Sequence, residues 1–293
     1  MSSFISYLIS GISLGSVYAI IALGYTMVYG IAKMLNFAHG DVIMVGSYVV
    51  YVAVSGMGLN PILAILLSII ICTLMGVVIE GVAYRPLRNA ASPLAVLITA
   101  IGVSYLLQNV ALLIWGADTK SFSNVISLPS LKLAGGSIVI TGVTIVTIIG
   151  GILAGLMLFI SKTKTGQAML AVSEDKGAAQ LMGINVNKTI SITFAIGSGL
   201  AAIAGVLLCS AYPSLTPYTG AMPGIKAFVA AVFGGIGSIP GAFIGGVVLG
   251  ILEIFGKAYI SSQMADAIVF GVLIVVLVVK PTGILGKNIQ EKV

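Results

Sequence analysis

Side chains able to carry out catalysis are few in this sequence and far apart. The single histidine, His39, cannot form a metal cluster alone, and no nucleophile lies near it. Ile196-Gly-Ser198-Gly199 lacks the first glycine of a nucleophile elbow. Cys72 and Cys209 lie in apolar runs without metal-ligand spacing. The sequence therefore indicates no enzyme, no metal and no cofactor, and we expect His39 to cap or line a helix break.

The glycine-rich stretches also lack the pattern of a nucleotide site. The phosphate-loop pattern G-x-x-x-x-G-K-S/T does not occur in the sequence. Gly235-Ile-Gly237-Ser-Ile-Pro-Gly241 has the wrong spacing for a dinucleotide loop and is embedded in apolar sequence, which favours helix packing. If ATP drives a process in which this chain takes part, a separate ATPase must bind it.

The composition is typical of an integral membrane protein. Hydrophobic residues make up 59% of the 293 residues and charged residues only 8%, whereas a soluble domain carries about 25% charged residues. Several apolar runs of about 20 residues indicate membrane-spanning helices. The net charge of +6 is spread thinly over the predicted loops. We interpret it as a topology signal and expect no nucleic-acid partner.

One long polar segment, residues 162–188, lies between charge-free apolar runs. Ser173 is a suitable N-cap for a short helix, and the helix dipole would favour Glu174 and Asp175 in its first turn. Gly183 is placed to end this helix, because glycine adopts the left-handed conformation without penalty. We expect the exposed face to be a docking site built from small or flexible side chains: Ala178, Ala179 and Met182.

The apolar runs predict an all-α fold, a polytopic transmembrane helical bundle that covers residues 1–293 as one domain. Pro240 lacks an N–H and should break a helix, so two half-length or full spans are expected to meet around residues 234–241. The other spans are predicted at about residues 4–31, 36–55, 62–84, 93–115, 137–161, 189–211 and 265–279.

Polar residues near the predicted span ends have local roles in this interpretation. Asn36 is a suitable N-cap for the second span, with Asp41 in its second turn. Glu80 lies near the end of the third span and is expected to pair with Arg85 or Arg88 close to the membrane interface rather than to relay protons.

The distribution of Lys and Arg predicts the orientation of the spans. With the N-terminus outside and nine crossings, ten Lys and Arg residues lie on the inside and four on the outside. The C-terminus and residues 162–188 would then be cytoplasmic. Because the glycine-rich stretch could be re-entrant, we expect eight to ten crossings.

Broken helices are predicted in both halves of the chain, at residues 36–46 and 234–246. Paired interruptions of this kind indicate a transport pathway. An ion-coupled carrier would usually bury charged residues in mid-span, whereas charge here clusters near the span ends. A docking helix without an ATP site indicates a transporter that a separate ATPase drives. The candidate pathway or break residues are Asn36, His39, Gly40, Gly234, Gly235, Gly237 and Gly241.

Five motifs, in order along nearly the whole chain, carry a family resemblance. They are Asn36-Phe-Ala-His-Gly40, Glu80 with Ala83-Tyr-Arg-Pro-Leu-Arg88, Glu174-Asp175 with Leu181-Met-Gly-Ile-Asn185, Gly234-Gly-Ile-Gly-Ser-Ile-Pro-Gly-Ala242 and Pro281-Thr-Gly-Ile-Leu-Gly286. With these motifs the sequence closely resembles the LivH-type permeases of high-affinity branched-chain amino acid ABC importers.

The resemblance implies a multi-pass permease of the bacterial cytoplasmic (inner) membrane, surrounded by membrane lipid. It implies a heterodimeric pore with a second, LivM-type permease, two cytoplasmic ABC ATPases of the LivG and LivF types, and an extracytoplasmic amino acid-binding protein. ABC importers dock their ATPases on a loop of the form E-A-A-x-x-x-G. Gly177-Ala178-Ala179-Gln-Leu-Met-Gly183 is similar, although Gly177 replaces the glutamate and the downstream I-x-L-P is missing. The implied coupling residues are Glu174, Asp175, Ala178, Ala179 and Gly183.

The expected function is ATP-driven import of leucine, isoleucine and valine. Permeases for urea and short amides are similar to this family, and the binding protein, a separate chain, sets most of the selectivity. A stand-alone channel or ion-coupled carrier is the alternative from another class, and it is disfavoured because buried coupling charges are not evident in the sequence.

Overall fold

The computed structural model describes residues 2–88, 93–122, 131–133, 136–138 and 140–286. Within these ranges the chain forms eleven α-helices: α1 (Ser2–Ala32), α2 (His39–Tyr51), α3 (Pro61–Ile79), α4 (Pro93–Trp115), α5 (Ile140–Lys162), α6 (Lys164–Glu174), α7 (Lys176–Leu181), α8 (Val186–Ala211), α9 (Ala221–Gly234), α10 (Ile239–Tyr259) and α11 (Ala265–Val279). A π-helical turn, Val52–Gly56, extends α2. A second, Glu80–Tyr84, extends α3 and continues into the 3-10 turn Arg85–Leu87.

Two small antiparallel ribbons complete the described secondary structure, and the sequence did not predict them. Strand β1 (Lys120–Ser121) pairs with β4 (Ser214–Leu215), with Lys120 opposite Leu215. Strand β2 (Leu131–Leu133) pairs with β3 (Gly136–Ile138).

The helices confirm a polytopic membrane fold. Five of those described are long and apolar enough to cross a bilayer: Phe4–Ala32, Pro61–Leu87, Leu94–Trp115, Val186–Ala211 and Ile239–Tyr259. A sixth span results if the pair Ile148–Lys162 and Lys164–Glu174, bent by 79°, is counted as one. Two shorter apolar helices are Ala221–Gly234 and Ala265–Val279. The sequence-based count of eight to ten crossings and the outside N-terminus stay predictions.

Side-chain caps explain where several helices begin. The side-chain oxygen of each cap residue accepts a hydrogen bond from a backbone N–H of the first turn, which would otherwise have no partner. In α3, for example, Asn60 Oδ1 accepts from the N–H of Ile62 at 2.9 Å. The capping residues of this kind are Asn60 (α3), Thr163 (α6), Asp175 (α7), Asn185 (α8) and Ser238 (α10).

The prediction that Asn36 caps the second span is wrong. Helix α2 begins at His39, and Ala38 in the N-cap position makes no side-chain cap hydrogen bond. The side chain of Asn36 is occupied elsewhere, because its Oδ1 accepts a 3.0 Å hydrogen bond from the Tyr84 hydroxyl. Asp41 accordingly lies in the first turn of α2 and not in the second.

The chain divides into two compact units, which are described separately. The first comprises Met1–Thr26, Leu128–Ile152 and Lys226–Val293, and the second comprises Met27–Ser127 and Leu153–Ile225. A single transmembrane domain over residues 1–293, with a coupling loop at 162–188, stays a prediction.

In the first unit α1 packs closely against α10 through glycines. A Cβ on Gly15 would lie 2.6 Å from the carbonyl oxygen of Val247, and a Cβ on Gly250 would overlap the backbone nitrogen of Gly15. Gly11 and Gly15, four residues apart, therefore both lie at a helix-packing contact, which is common for small residues at this spacing in membrane helices.

In the second unit α2 packs closely against both α3 and α8. A Cβ on Gly205 of α8 would lie 2.5 Å from the Ile43 carbonyl oxygen of α2, and the Ser68 hydroxyl of α3 donates to the Gly46 carbonyl at 2.8 Å. Beside them the Tyr48 ring stacks on Trp115, with 4.3 Å between centroids.

We predict that Gly250→Ala destabilises the protein, because the new methyl group would overlap α1 and overpacking typically costs about 1–3 kcal/mol. Gly271→Ala is the matched control: no described heavy atom lies within 4 Å of its new Cβ, and alanine favours a helix by up to about 1 kcal/mol. Thermal unfolding of the purified variants in detergent would measure both. Equal melting temperatures would contradict the close packing of α1 on α10.

Candidate functional site

The predicted docking segment consists of two short helices after a sharp bend. Helices α5 and α6 meet at 79°, and Thr163 makes the corner. Its hydroxyl donates to the Phe159 carbonyl at 2.7 Å and accepts from the N–H of Gly166 at 3.0 Å. A side chain on Gly166 would overlap the backbone of Ile160. The bend therefore depends on a hydroxyl cap and on a glycine that permits close contact.

Helix α7 has a defined start, but its cap is not the predicted one. Asp175 is extended, at φ −152° and ψ 115°, and its Oδ1 accepts from the N–H of Ala178 at 2.9 Å. The Ser173 hydroxyl instead donates to the Leu170 carbonyl at 2.6 Å within α6. Glu174 is the last residue of α6 and does not lie in the first turn of α7. The predicted Ser173 cap is wrong, because α6 continues through that residue.

The end of α7 agrees with the prediction for Gly183, which has φ +82°. The N–H of Gly183 bonds to the Gln180 carbonyl and the N–H of Ile184 to the Ala179 carbonyl, both at 3.0 Å. This pair of bonds is a Schellman motif, in which a left-handed residue closes the helix. Glycine is suited to this position because left-handed backbone costs other residues about 1–2 kcal/mol.

The exposed surface of α7 differs from the predicted one. Ala178 and Met182 are exposed, but Ala179 is only 4% exposed and packs inwards. Leu181 and Met182 are 90% and 83% exposed. Two adjacent, large apolar side chains this exposed, outside the membrane-spanning helices, are typical of a surface that another molecule covers.

Lys176 connects α7 to the end of α1. Its Nζ donates to the carbonyl oxygen of Ala32, the last residue of α1, at 2.9 Å. A cation is favourable there because the carbonyl end of a helix carries partial negative charge. Lys33 follows in the left-handed conformation, at φ +58°. Desolvation lowers the pKa of Lys176, and the nearby charges of Arg88 and Lys33 lower this pKa further.

Glu80 joins the end of α3 to α8. Its carboxylate forms ion pairs with Arg88 and with Arg85, the latter at 3.2 Å, and accepts from the Ser191 hydroxyl at 2.6 Å. Arg88 also donates to the Asn187 side chain. The predicted pairing with Arg85 and Arg88 is thus confirmed. Glu80 itself is fully buried, because its partners cover it.

The first predicted helix break, residues 36–40, is a tightly packed turn. Asn36 and His39 are 3% and 1% exposed, and a Cβ on Gly40 would lie 2.6 Å from the Gly220 carbonyl oxygen. Asp41 accepts a 2.9 Å hydrogen bond from Gln108. The turn brings Asn36, His39 and Gly40 together, and glycine is required where the two backbones meet.

The second predicted break lies between α9 and α10 and is closed by backbone contacts. A Cβ on Gly234 would overlap the Gly241 carbonyl, while Gly235 and Gly237 have φ values of +106° and +94°. Pro240 does not interrupt a helix but lies in the first turn of α10, after the Ser238 cap. Proline is tolerated there because its missing N–H has no partner to lose.

Residues 281–286 form backbone hydrogen bonds with the residues at this break. The sequence did not predict this contact. The N–H of Ile284 donates to the Phe233 carbonyl and that of Leu285 to the Gly234 carbonyl, both at 2.9 Å. These carbonyls belong to the last turn of α9 and would lack an intrahelical partner. Pro281 and Gly283, the latter at φ +76°, were the local signals of a turn.

The first unit contains a buried charge network that the sequence analysis did not predict. Glu253 of α10 is 1% exposed and accepts from the Tyr18 hydroxyl at 2.8 Å, from Lys226 at 2.9 Å and from Lys257 at 2.5 Å. Lys226 also pairs with Asp266 at 2.6 Å. These charges lie towards the ends of α9, α10 and α11, and what the sequence did not predict is the burial of Glu253. The available signal was an acidic residue inside an apolar run, with Lys257 four positions later.

The described residues contain no cluster of three or more His, Cys, Asp or Glu side chains that could hold a metal ion. The polar residues found here instead cap helices, pair across them or close their ends. Among the described residues, these contacts fix the ends of helices and join one helix to another.

We predict that Glu253→Ala lowers the free energy of unfolding by about 3–5 kcal/mol, because two lysines would lose their shared buried partner. Asp118→Ala is the control: Asp118 is 89% exposed and lies 3.9 Å from Lys120, and such pairs contribute about 0–1 kcal/mol. Unfolding in detergent, followed by tryptophan fluorescence, would compare them. A loss for Glu253→Ala no larger than that of the control would refute a stabilising network.

Comparison with known proteins identifies the family to which this chain belongs. The profile of the family described as "Branched-chain amino acid transport system / permease component" matches residues 7–278. BraD of Pseudomonas aeruginosa, a high-affinity branched-chain amino acid transport system permease protein, is 45% identical over 304 residues, which cover 99% of this chain and 98% of BraD.

Two further relatives bear the same description under the name LivH. LivH of Salmonella typhimurium is 46% identical and LivH of Escherichia coli strain K12 is 45% identical, each over 308 residues that cover 99% of this chain and 98% of the relative. The chain therefore belongs to the family of permease components of branched-chain amino acid transport systems.

Proposed function

We propose that this chain is a permease subunit of an ATP-driven ABC importer that carries leucine, isoleucine and valine across the bacterial cytoplasmic (inner) membrane. The observation that carries this proposal is the 45–46% identity, over nearly the full length of both chains, to permease proteins of high-affinity branched-chain amino acid transport systems. Transport without catalysis is consistent with side chains whose hydrogen bonds are used to cap and join helices.

The proposed partners follow from the role of one subunit in such a system. They are a second permease of the LivM type, two cytoplasmic ATPases of the LivG and LivF types, and an extracytoplasmic amino acid-binding protein. The exposed side chains of Leu181 and Met182 support a protein partner on α7. The N-terminus would then lie outside and the C-terminus in the cytoplasm, as the Lys and Arg distribution predicts.

Coupling in this proposal passes through α7 to the spans of the second unit. The Asp175 cap and the Gly183 terminus hold α7 as a defined helix, and Lys176 links its start to the end of α1. Ala179 packs inwards, so a displacement of the exposed face of α7 would be transmitted to the residues on which Ala179 packs. Glu174 and Ala178 would contribute to the ATPase contact, since both are exposed.

The helix breaks are proposed to flank the substrate pathway. In transporters, broken helices can place backbone groups beside a substrate, and in this structure each break is a closely packed turn built on glycine. The candidates are Asn36, His39 and Gly40 in the second unit, and Gly234, Gly235, Gly237 and Gly241 in the first.

The test of this function is uptake by proteoliposomes that contain the chain with its candidate partner permease, ATPases and binding protein. We expect labelled leucine to enter only with ATP present on the ATPase side, and not when this chain is omitted. Uptake of labelled urea but not of labelled leucine would support the ATP-driven mechanism and identify a different class of substrate. Leucine entry through this chain alone, without ATP, would overturn the importer and indicate a carrier or channel.

We further predict that Gly183→Val abolishes ATP-dependent uptake, because a β-branched residue in the left-handed conformation costs at least about 1–2 kcal/mol and would unwind the end of α7. Gly183→Asn is the control, since asparagine tolerates this conformation. Leucine uptake and ATPase activity would be measured for both. Normal coupling in Gly183→Val, at equal membrane content, would argue against a role for this helix end.

A further inference from the structure

A cavity of about 360 Å³ lies in the second unit beside the end of α1. One part of its lining consists of three cations, Lys33, Arg88 and Lys176, and another part includes the apolar side chains of Leu87, Val96 and Leu97. The lining residues come from chain segments where α1 ends, α3 has just ended and α4 begins. In an up-and-down bundle these positions lie on the same side of the membrane.

The positive charge of the cavity is not balanced by its own lining. No acidic residue is among the described residues that line it. Glu80 pairs with Arg88 from outside the lining, but its carboxylate is shared with Arg85 and Ser191. Desolvation lowers the pKa of Lys176 most, and the charges of Arg88 and Lys33 lower this pKa further, so the three cations also repel one another. An anion in the cavity would relieve this repulsion.

Arg88 retains an unused donor at this place. Its two Nη atoms are bound to Glu80 and Asn187, whereas Nε is buried and has no hydrogen-bond acceptor among the described residues. A buried guanidinium N–H without an acceptor is unfavourable, and an anionic oxygen is the acceptor that arginine prefers.

The apolar part of the cavity adjoins a surface suited to lipid. Helix α4 supplies Val96 and Leu97 to the lining, and only 11% of its membrane-spanning window is buried. Ile98 and Leu113 on the same helix are 68% and 87% exposed. A ligand with a charged head and long apolar chains could place the head among the cations and the chains along α4.

We propose that this cavity binds the phosphate group of an anionic phospholipid from the cytoplasmic leaflet. The cytoplasmic leaflet is assigned from the proposed importer function and its orientation. The class of ligand is inferred separately, from the cationic and apolar residues that line the cavity. Basic pockets between membrane helices on the cytoplasmic side are suited to anionic headgroups. The bound lipid would sit beside Lys176 and would brace the start of α7 against the end of α1.

The experiment is lipid binding to the purified chain, together with its partner permease, in phosphatidylcholine nanodiscs. Fluorescent phosphatidylglycerol is titrated against fluorescent phosphatidylcholine, and glycerol 3-phosphate is added in a separate competition. We expect saturable binding of phosphatidylglycerol, weaker by about fivefold for each lysine charge removed. Because no transport is measured, the result does not depend on whether leucine is the substrate.

The variants are Lys33→Asn and Lys176→Gln, singly and together. Asparagine suits position 33 because it tolerates the left-handed backbone found there. Lys188→Gln is the matched control, since Lys188 is an exposed lysine of the same polar segment and does not line the cavity. Melting temperatures of all variants, recorded in detergent, would show that each is folded before binding is compared.

Three outcomes would overturn the proposal. Equal binding by the double variant and the control would mean that the cavity does not hold the lipid. Full competition by glycerol 3-phosphate at equal concentration would identify a soluble phosphate ligand in place of a lipid. Equal binding of fluorescent phosphatidylglycerol and phosphatidylcholine by the unmodified chain would mean that the cavity does not select an anionic headgroup.

Discussion

Close approach of helix backbones at glycine is the contact on which both compact units depend. In a bilayer, burial against lipid gives helices no net reason to associate, so packing contacts and interhelical bonds must hold them together. Gly15 and Gly250 bring α1 onto α10 in one unit, and Gly205 brings α8 onto α2 in the other. A side chain at any of these positions would push the two backbones apart.

Buried carboxylates take advantage of this proximity and join elements that are distant in sequence. Glu80 connects the end of α3 with Ser191 of α8, and Glu253 connects α10 with Tyr18 of α1 and Lys226 of α9. Each carboxylate is acceptable in an apolar interior because cations and hydroxyls occupy its oxygens. The same pairing makes each one sensitive to the loss of a single partner.

Much of the fold was predictable from the sequence, since α4 and α11 begin and end where uninterrupted apolar runs do. The caps were less predictable. Asn36 has the right chemistry to cap α2, but Tyr84, far away in the chain, uses its side chain. The network around Glu253 was missed for the same reason, because its partners are brought together only by helix packing. Local signals predict helices well, whereas the use of each polar group depends on tertiary contacts.

The pairing of residues 281–286 with the end of α9 has a consequence for biosynthesis. The carbonyls of Phe233 and Gly234 leave the ribosome well before Ile284 and Leu285, whose N–H groups they accept. Until the later segment arrives, these oxygens need water or a transient partner, since an unsatisfied carbonyl is costly in hydrocarbon. The turn between α9 and α10 therefore acquires these two hydrogen bonds only after residues 284 and 285 have been synthesised, well after the two helices that it joins.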